Sequence, residues 1–379
     1  MAKTPHRGPG FAALSLAGGV LIGGAGAAAA DFTAAAFVGP LHPVVEGGYE
    51  VFIDQVAEAS DGALSFNMFS AGALLGPRET MSGVRDGVAD IGFIVLIYHP
   101  AEFPHGALLA DMALMAEDVP ATSAAVTEIM LLHCEPCMQE FANNGVIPFG
   151  AYATTMYNII GNQPHDTVDA LRGQRIRTPG GAWDRWSREF GAVSVNVPAS
   201  EIYEGLNRGA LDAVMLPVSD YDAYNLWDVA SHVTMLPVGS FFSNTTFAIS
   251  PDFWRSIGTE NRQIMLDHGA ISSMGVTVTY LRQNAEVGDQ LEARGINVIE
   301  PSAEMTEAFE AFRAADREAV LNNARERGIA DPEAFLDLFE QKVAKYQELF
   351  AGHEDDHDAM VAIVQREVYD QLDADTFGL

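Results

Sequence analysis

The spacing of apolar residues predicts alternating strands and helices at the start of the chain. In residues 43–59, valine, isoleucine and aromatic side chains recur every three or four positions, as on one face of a helix. Strand-like runs at 32–38, 63–69 and 89–96 surround this helix, and Pro77 opens another helix before the last of them. A parallel sheet with crossover helices requires this strand–helix–strand order.

A second alternating series follows a long helix predicted for residues 120–143 and strands predicted at 146–153 and 156–160. Its members are predicted as helix 168–171, strand 174–177, helix 182–190, strand 193–197, helix 200–208 and strand 211–216. This order forms a compact βαβαβ unit, and it therefore predicts a second α/β domain.

The fold class predicted from these patterns is α/β, with two lobes, a hinged cleft and a helical C-terminal extension. A strand at 242–249 is predicted to return to the first lobe, and most of 260–372 is predicted to be helical. The expected division is 31–153 plus about 242–300 for lobe I, 154–241 for lobe II, and 301–379 for helices packed across the lobes. Ligands of open α/β sheets bind at the carboxyl ends of strands, so the cleft is the expected binding site.

Residues 1–30 have the pattern of a cleavable secretory signal peptide. A basic head that includes Lys3 and Arg7 precedes an apolar run at 11–22, and alanines fill 28–30. An uncleaved membrane anchor is the alternative, but the run is short and rich in glycine for a membrane span. The chain is therefore predicted to work outside the cytoplasm.

The chain is strongly acidic, with a formal net charge of −31. Loss of residues 1–30 would remove two basic residues and no acidic one, leaving 19 basic and 52 acidic residues. Nucleic acids bind to basic faces, so this balance argues against a nucleic-acid partner, and it disfavours anionic membrane surfaces.

Positive charge is concentrated in one short stretch of this acidic chain. The arginines between positions 172 and 188 are Arg172, Arg175, Arg177, Arg185 and Arg188. The planar guanidinium fork matches a carboxylate through two parallel hydrogen bonds, so the cluster predicts an anion site. Arg177 is predicted at the end of a strand, before a Pro-Gly turn and a helix whose first N–H groups also favour an anion. Arg177 could instead pair with a structural aspartate.

The two cysteines, Cys134 and Cys137, are separated by two residues. In an oxidising compartment they are expected to form a disulfide or to lie buried near one another. A thioredoxin-like redox role is the alternative, although the pair lies late in a predicted helix rather than at a helix start after a strand. A zinc site of four thiolates is excluded by the cysteine count.

Three ordered blocks carry a resemblance to a known family. They lie at residues 70–92, 169–179 and 191–212, and the central block reads Asp-Ala-Leu-Arg-Gly-Gln-Arg-Ile-Arg-Thr-Pro. These blocks resemble the solute-binding proteins of tripartite ATP-independent periplasmic (TRAP) transporters, the DctP family, and the resemblance extends over about residues 32–309. It implies a periplasmic-binding-protein architecture, a monomer without enzymatic activity or cofactor, and a receptor that delivers a small organic acid to TRAP membrane permease subunits.

The resemblance also implies a role for Arg177, because the arginine of the family's R-x-P segment pairs with the ligand carboxylate. The chain departs from the family near Met215 and Leu216, where many relatives carry polar residues, so no metal and a more apolar ligand body are expected. Where some relatives have a second arginine, the nearest residue is Asn158, which could donate a hydrogen bond. Candidate solutes are aliphatic dicarboxylates, keto or hydroxy acids and aromatic acids, with an apolar monocarboxylate favoured.

Other residues are expected to complete the cleft. The predicted polar contacts are Tyr98, His99 and His42, and the predicted apolar walls are Trp183, Leu216 and Phe241. Each has a structural alternative, since residues 97–104 could be a loop packed by its prolines and Trp183 could be part of the core.

Two other function classes are open from the sequence. His353, Glu354 and His357 fit the His-Glu-x-x-His pattern of zinc metalloproteases. The pattern follows Gly352 at a predicted helix start among further acids, so an acidic N-terminal cap is the simpler interpretation. A structural surface protein is the third class, and it predicts no stabilisation by a ligand.

Overall fold

The computed structural model describes residues 31–379, so the predicted signal peptide lies outside the described residues. Its strands are β1 (Asp31–Ala35), β2 (Ser65–Phe69), β3 (Ile91–Val95), β4 (Ile147–Pro148), β5 (Asn158–Gly161), β6 (Arg175–Thr178), β7 (Val193–Asn196), β8 (Ala213–Leu216), β9 (His232–Thr234), β10 (Asn244–Ile249) and β11 (Asn297–Ile299). They form two sheets, and each sheet is the centre of one lobe.

Helices cover the sheets and account for most of the C-terminal part. The α-helices are α1 (Val51–Ala59), α2 (Thr80–Arg85), α3 (Pro104–Asp111), α4 (Val119–Glu128), α5 (Glu135–Asn143), α6 (Val168–Leu171), α7 (Ala182–Glu189), α8 (Ile202–Asn207), α9 (Asp220–Ala223), α10 (Pro251–Ser256), α11 (Gly258–Asp267), α12 (Met274–Gly288), α13 (Ala303–Ala315), α14 (Arg317–Glu326), α15 (Pro332–Phe350) and α16 (His357–Glu367). Shorter 3₁₀ or π segments lie at Val44–Glu50, Leu96–Tyr98, Ala113–Met115, Ile129–His133, Ala199–Glu201, Leu226–Asp228, Gly269–Ser272, Glu292–Arg294 and Tyr369–Gln371. Within residues 31–379, none of these helices is both long and apolar enough to cross a membrane.

The two sheets confirm the predicted α/β class. The first sheet has the order β2-β1-β3-β10-β4, with β1 parallel to β2 and β3 and with β10 antiparallel to its neighbours. The second sheet has the order β11-β9-β5-β8-β6-β7, in which β6 is parallel to both β7 and β8. Strand β10 is the predicted strand that returns to the first sheet.

The chain passes between the sheets in three places. It leaves the first sheet after β4, returns to it between β9 and β10, and passes through α12 to reach β11 in the second sheet. Several connections between two lobes are the usual basis of hinge closure around a ligand.

Two elements differ from the sequence prediction. Residues up to about 300 were expected in lobe I, but β11 pairs in parallel with β9 in the second sheet. The predicted helix 120–143 is interrupted at Cys134, which caps α5 through a hydrogen bond from Cys137 N to its Sγ. Pro136 has no N–H to continue the preceding helical hydrogen bonds, so the chain starts a new helix there.

The C-terminal helices contact both lobes. In lobe I, α15 packs on α4, where Lys342 and Lys345 donate to the carboxylate of Glu128 at 2.6 and 2.9 Å. Burial alone would raise the pKa of Glu128, but these hydrogen bonds hold it at about 2. In lobe II, Phe312 of α13 lies edge-on to Phe190 at the end of α7. The helices therefore fix the C-terminal part to both sides of the molecule.

Candidate functional site

A cavity lies between the lobes, where parallel strands of both sheets end. Phe37 follows β1 and Tyr98 follows β3 in the first lobe, whereas Arg177 is the next-to-last residue of β6 and Leu216 ends β8 in the second. The cavity is narrow, with a volume of about 30 Å³. Its position agrees with the general rule for ligands of open α/β sheets.

Aromatic rings form most of the cavity wall. The phenylalanines are Phe37, Phe93 and Phe241, and the tyrosines are Tyr98, Tyr152, Tyr157, Tyr224 and Tyr280. Such rings provide rigid apolar walls, and tyrosine hydroxyls add polar groups at their edges. The arrangement suits a ligand with a planar or apolar body and few polar atoms.

Arg177 is the buried cation of this cavity, with 1% of its surface exposed. Its Nε donates to Val197 O at 3.0 Å, and its Nη2 donates to Tyr98 Oη at 3.3 Å. No carboxylate within residues 31–379 forms an ion pair with it, whereas nearby Arg175 is paired with Asp212. A guanidinium has five N–H donors, so donors remain for an anion in the cavity.

The turn after β6 sets the position of Arg177 against the first lobe. Gly180 and Gly181 follow Pro179, and both have positive φ angles, 108° and 60°. A Cβ at Gly181 would lie 2.5 Å from the backbone oxygen of Ala110 in α3. Only glycine allows this close approach. The turn can therefore hold the end of β6, and with it Arg177, at the boundary between the lobes.

Tyr98 joins the lobes at the cavity. Its hydroxyl accepts hydrogen bonds from Arg177 and from the backbone N–H of Ala199, the latter at 3.1 Å. Its carbonyl accepts from Arg78 Nη1 at 3.2 Å, and that guanidinium lies 5.7 Å from the tyrosine ring centre. Tyr98 therefore belongs to lobe I but orients the main cation of lobe II.

His42 lines the cavity as a neutral ring. Its Nδ1 accepts a hydrogen bond from Val44 N at 3.1 Å, which places the proton of the neutral ring on Nε2. Nε2 lies 3.0 Å from Tyr280 Oη and can donate to it. Burial lowers the pKa of His42 from 6.5 to about 3, so the ring adds polarity without charge.

Asp220 is a cavity residue that the sequence analysis missed. It is the first residue of α9, has 2% of its surface exposed and lines the cavity with Arg177. Among the described residues, its Oδ1 has no hydrogen-bond partner. Burial raises the pKa of Asp220 well above its usual value, and the charge of Arg177 opposes that shift. The available signal was an acid placed four positions after the end of a buried strand.

Three predicted ligand contacts are not among the residues that line the cavity. Asn158 donates from Nδ2 to Met156 O at 3.2 Å. His99 packs edge-on against Phe103, and Trp183 donates from Nε1 to Val238 O at 2.6 Å. Trp183 stacks on Tyr157 at 5.0 Å between ring centres, so it supports the wall from behind. Tyr98, His42, Leu216 and Phe241 do line the cavity.

The other sequence motifs have structural positions away from the cavity. Cys134 and Cys137 form a disulfide. His353 lies before α16 and His357 is its first residue, so the two imidazoles do not share a helix face. Asp356 caps that helix by accepting from Ala359 N at 3.0 Å. Within residues 31–379, no group of three or more histidine, cysteine or acidic side chains is arranged to hold a metal.

Comparison with known proteins agrees with the resemblance found in the sequence. The family model for bacterial extracellular solute-binding proteins of family 7, DctP, matches residues 34–321. A monocarboxylate 2-oxoacid-binding periplasmic protein of Nostoc is 24% identical over 315 residues, which cover 80% of this chain and 81% of that protein.

Solved structures with the same fold include two TRAP solute-binding proteins. One, from Bordetella bronchiseptica with bound (R)- and (S)-mandelate, has a TM-score of 0.71 and 22% identity and covers 83% of this chain and 99% of its own. The other, from Rhodoferax ferrireducens with copurified benzoate, has a TM-score of 0.74 and 19% identity, with 84% and 99% covered. The two-sheet architecture is shared with both.

Proposed function

The chain belongs to family 7 of the bacterial extracellular solute-binding proteins, the DctP family of TRAP receptors, and we propose that it binds a small organic acid between its lobes. The ligand carboxylate pairs with Arg177. One observation carries this proposal: a buried guanidinium lines the cavity, and no described carboxylate forms an ion pair with it.

The proposed mechanism is hinge closure. Pockets for small molecules usually enclose about 300–1,000 Å³. The cavity between the lobes has about 30 Å³, so the lobes have to separate to admit an organic acid. Closure then removes water from the carboxylate and strengthens its attraction to Arg177, because the dielectric constant falls. The aromatic walls hold the ligand body.

A monocarboxylate with an apolar or planar body fits this cavity better than an aliphatic dicarboxylate. A second carboxylate would need a second cation, and the described cavity residues include no lysine and no other arginine. The two solved relatives described above hold mandelate and benzoate, and the Nostoc relative is named for monocarboxylate 2-oxoacids. These ligands share one carboxylate, which supports the proposal.

The proposal also covers the cellular location of the protein and its membrane partner. The chain is exported by residues 1–30, acts in the periplasm as a monomer and passes its ligand to the membrane permease of a TRAP transporter. Family membership supports the extracytoplasmic receptor role rather than an enzymatic one.

Matched acids and amides test this function through thermal unfolding of the purified protein. Mandelate and benzoate are compared with mandelamide and benzamide, which keep the ring and lose the charge. A ligand at one hundred times its Kd adds about 2.7 kcal/mol to the free energy of unfolding, so an acid that binds raises the Tm. We expect the acids to raise the Tm and the amides to leave it unchanged. Equal stabilisation by an acid and its amide would contradict the carboxylate site.

A further inference from the structure

The carboxyl group of Asp220 is buried without a complete set of hydrogen-bond partners in the described part of the protein. The residue has 2% of its surface exposed, and its Oδ1 has no hydrogen-bond partner among residues 31–379. Buried polar atoms are normally hydrogen-bonded, because burial without a partner is unfavourable. Asp220 lies in the wall of the ligand cavity, so a bound ligand can supply the hydrogen-bond donor that its Oδ1 lacks.

No donor among the described residues near Asp220 forms a hydrogen bond with its Oδ1, although Tyr152, Tyr157 and Tyr224 also line the cavity. The nearest opposite charge is that of Arg177, which opposes the rise in the pKa of Asp220 but donates to Val197 and Tyr98. Tyr280, another neighbour, shares a hydrogen bond with His42. The carboxyl group of Asp220 and the guanidinium of Arg177 therefore line one small cavity without a hydrogen bond between them.

We propose that the ligand carries a second polar group, a hydrogen-bond donor, and that Asp220 accepts from it while Arg177 holds the carboxylate. This inference rests on the proposed function and narrows its ligand class. The class is carboxylic acids with a hydroxyl or a protonated nitrogen, that is, hydroxy acids or amino-substituted acids. Plain acids of the same shape leave Oδ1 without a partner, so they bind more weakly.

Wild-type protein tests this preference directly by titration calorimetry with two matched series. The first series is phenylacetate, mandelate, phenylglycine and phenylglyoxylate, which differ at the carbon next to the carboxylate. The second series is benzoate, 3-hydroxybenzoate and 3-(aminomethyl)benzoate, in which the donor lies farther away. In at least one series, a donor-bearing member should bind about fivefold or more tightly than its parent acid, as for a hydrogen bond between uncharged groups.

Variants at Asp220 test whether its side chain causes the preference for donor-bearing acids. They also distinguish a hydroxyl donor from a protonated nitrogen. Asp220→Leu removes the acceptor and should reduce the preference to less than about twofold. Asp220→Asn keeps an oxygen acceptor without a charge, so it should retain a preference for a hydroxyl and lose one for a protonated nitrogen. Asp54→Asn, on an exposed face of α1, makes the same substitution away from the cavity and should change nothing.

Several results would overturn the inference. It fails if the parent acids bind as tightly as the donor-bearing ones, or if folded Asp220→Leu protein keeps the preference. It also fails if phenylglyoxylate, which only accepts hydrogen bonds at that carbon, binds more tightly than mandelate. In these cases the carboxylate site at Arg177 still stands, since all the acids bind. If no member of either series binds, the proposed function fails and the inference fails with it. The wild-type comparison does not depend on the folding of a variant.

Discussion

At the scale of single residues, Arg177 differs from its neighbours in the arginine cluster by what it contacts. Arg172 and Arg175 pair with Asp169 and Asp212 near the surface, and Arg185 pairs with buried acids. Arg177 contacts a carbonyl and a tyrosine hydroxyl instead. Among the described residues, Arg262 is also buried without an ion pair, but three protein groups accept from it and it does not line the cavity. The position of Arg177 in the cavity therefore makes it the strongest candidate for an anion contact.

Arg177 and Leu216 are predicted from the sequence at the carboxyl ends of strands, and both line the cavity in the structure. Strand ends in α/β folds face the ligand site, so chain position alone indicates such residues. Trp183 is predicted in the cavity wall, but its indole N–H donates to the carbonyl of Val238, which is 55 positions away. Such long-range contacts cannot be predicted from local spacing. For the same reason the sequence did not indicate that Asp220 lines the cavity.

Replacement of His42 tests its buried neutral state through pH. Its pKa is about 3 when folded and 6.5 as the ordinary value, so below pH 6.5 the unfolded chain takes up a proton that the folded chain does not. The free energy of unfolding therefore decreases as the pH is lowered from 6.5 towards 3. Between pH 7 and pH 5, the wild type should lose about 2 kcal/mol more than His42→Gln, as measured by urea unfolding.

His353→Gln provides the control, since His353 lies in the loop before α16, away from the cavity. Its pH dependence should match that of the wild type. A His42→Gln protein with the wild-type dependence would show that the pKa of His42 is the same in the folded and the unfolded chain, which would contradict the effect of burial.

At the scale of elements, a buried network of charges connects α3, α7 and the helices that follow. Arg185 of α7 donates to Asp111 of α3 and, through two bonds of 2.8 and 2.7 Å, to Asp316 at the end of α13. Arg327 also pairs with Asp111. The network therefore joins both lobes to the C-terminal helices beside the turn that carries Arg177.

The sequence predicted one of the joined helices closely but not the connection between them. Helix α7 lies within one residue of the predicted bounds 182–190, and the helix predicted at 43–59 is a π segment followed by α1. Strand β11 has three residues and pairs with β9 some 65 positions earlier, so no local pattern indicated its sheet. The network depends on the same kind of distant pairing.

Asp111→Asn should destabilise the protein strongly, because Arg327 loses its buried charge partner and Arg185 keeps only Asp316. Loss of one partner of a buried ion pair typically costs about 3–5 kcal/mol, which would appear as a lower urea midpoint. Asp169→Asn is the matched control, since its pair with Arg172 is exposed and should contribute less than about 1 kcal/mol. Equal midpoints for the two variants would contradict a structural role for the network.

At the scale of the whole molecule, the chain is a pair of lobes connected by three passages, and the residues that line the cavity are divided between the lobes. Tyr98 and His42 come from the first lobe, and Arg177, Leu216 and Asp220 come from the second. Neither lobe holds the complete set, so under the proposed function we expect ligand binding to be coupled to lobe closure.

The most direct test of the account is the affinity of one carboxylate for proteins with and without the Arg177 guanidinium. Titration calorimetry with mandelate would compare the wild type, Arg177→Met and Arg188→Met, of which the last removes an exposed charge from the end of α7. Truncation of one partner of a buried charge pair costs about 2–5 kcal/mol, so Arg177→Met should bind about 30-fold or more weakly, and Arg188→Met should match the wild type. Wild-type affinity in folded Arg177→Met protein would contradict the account.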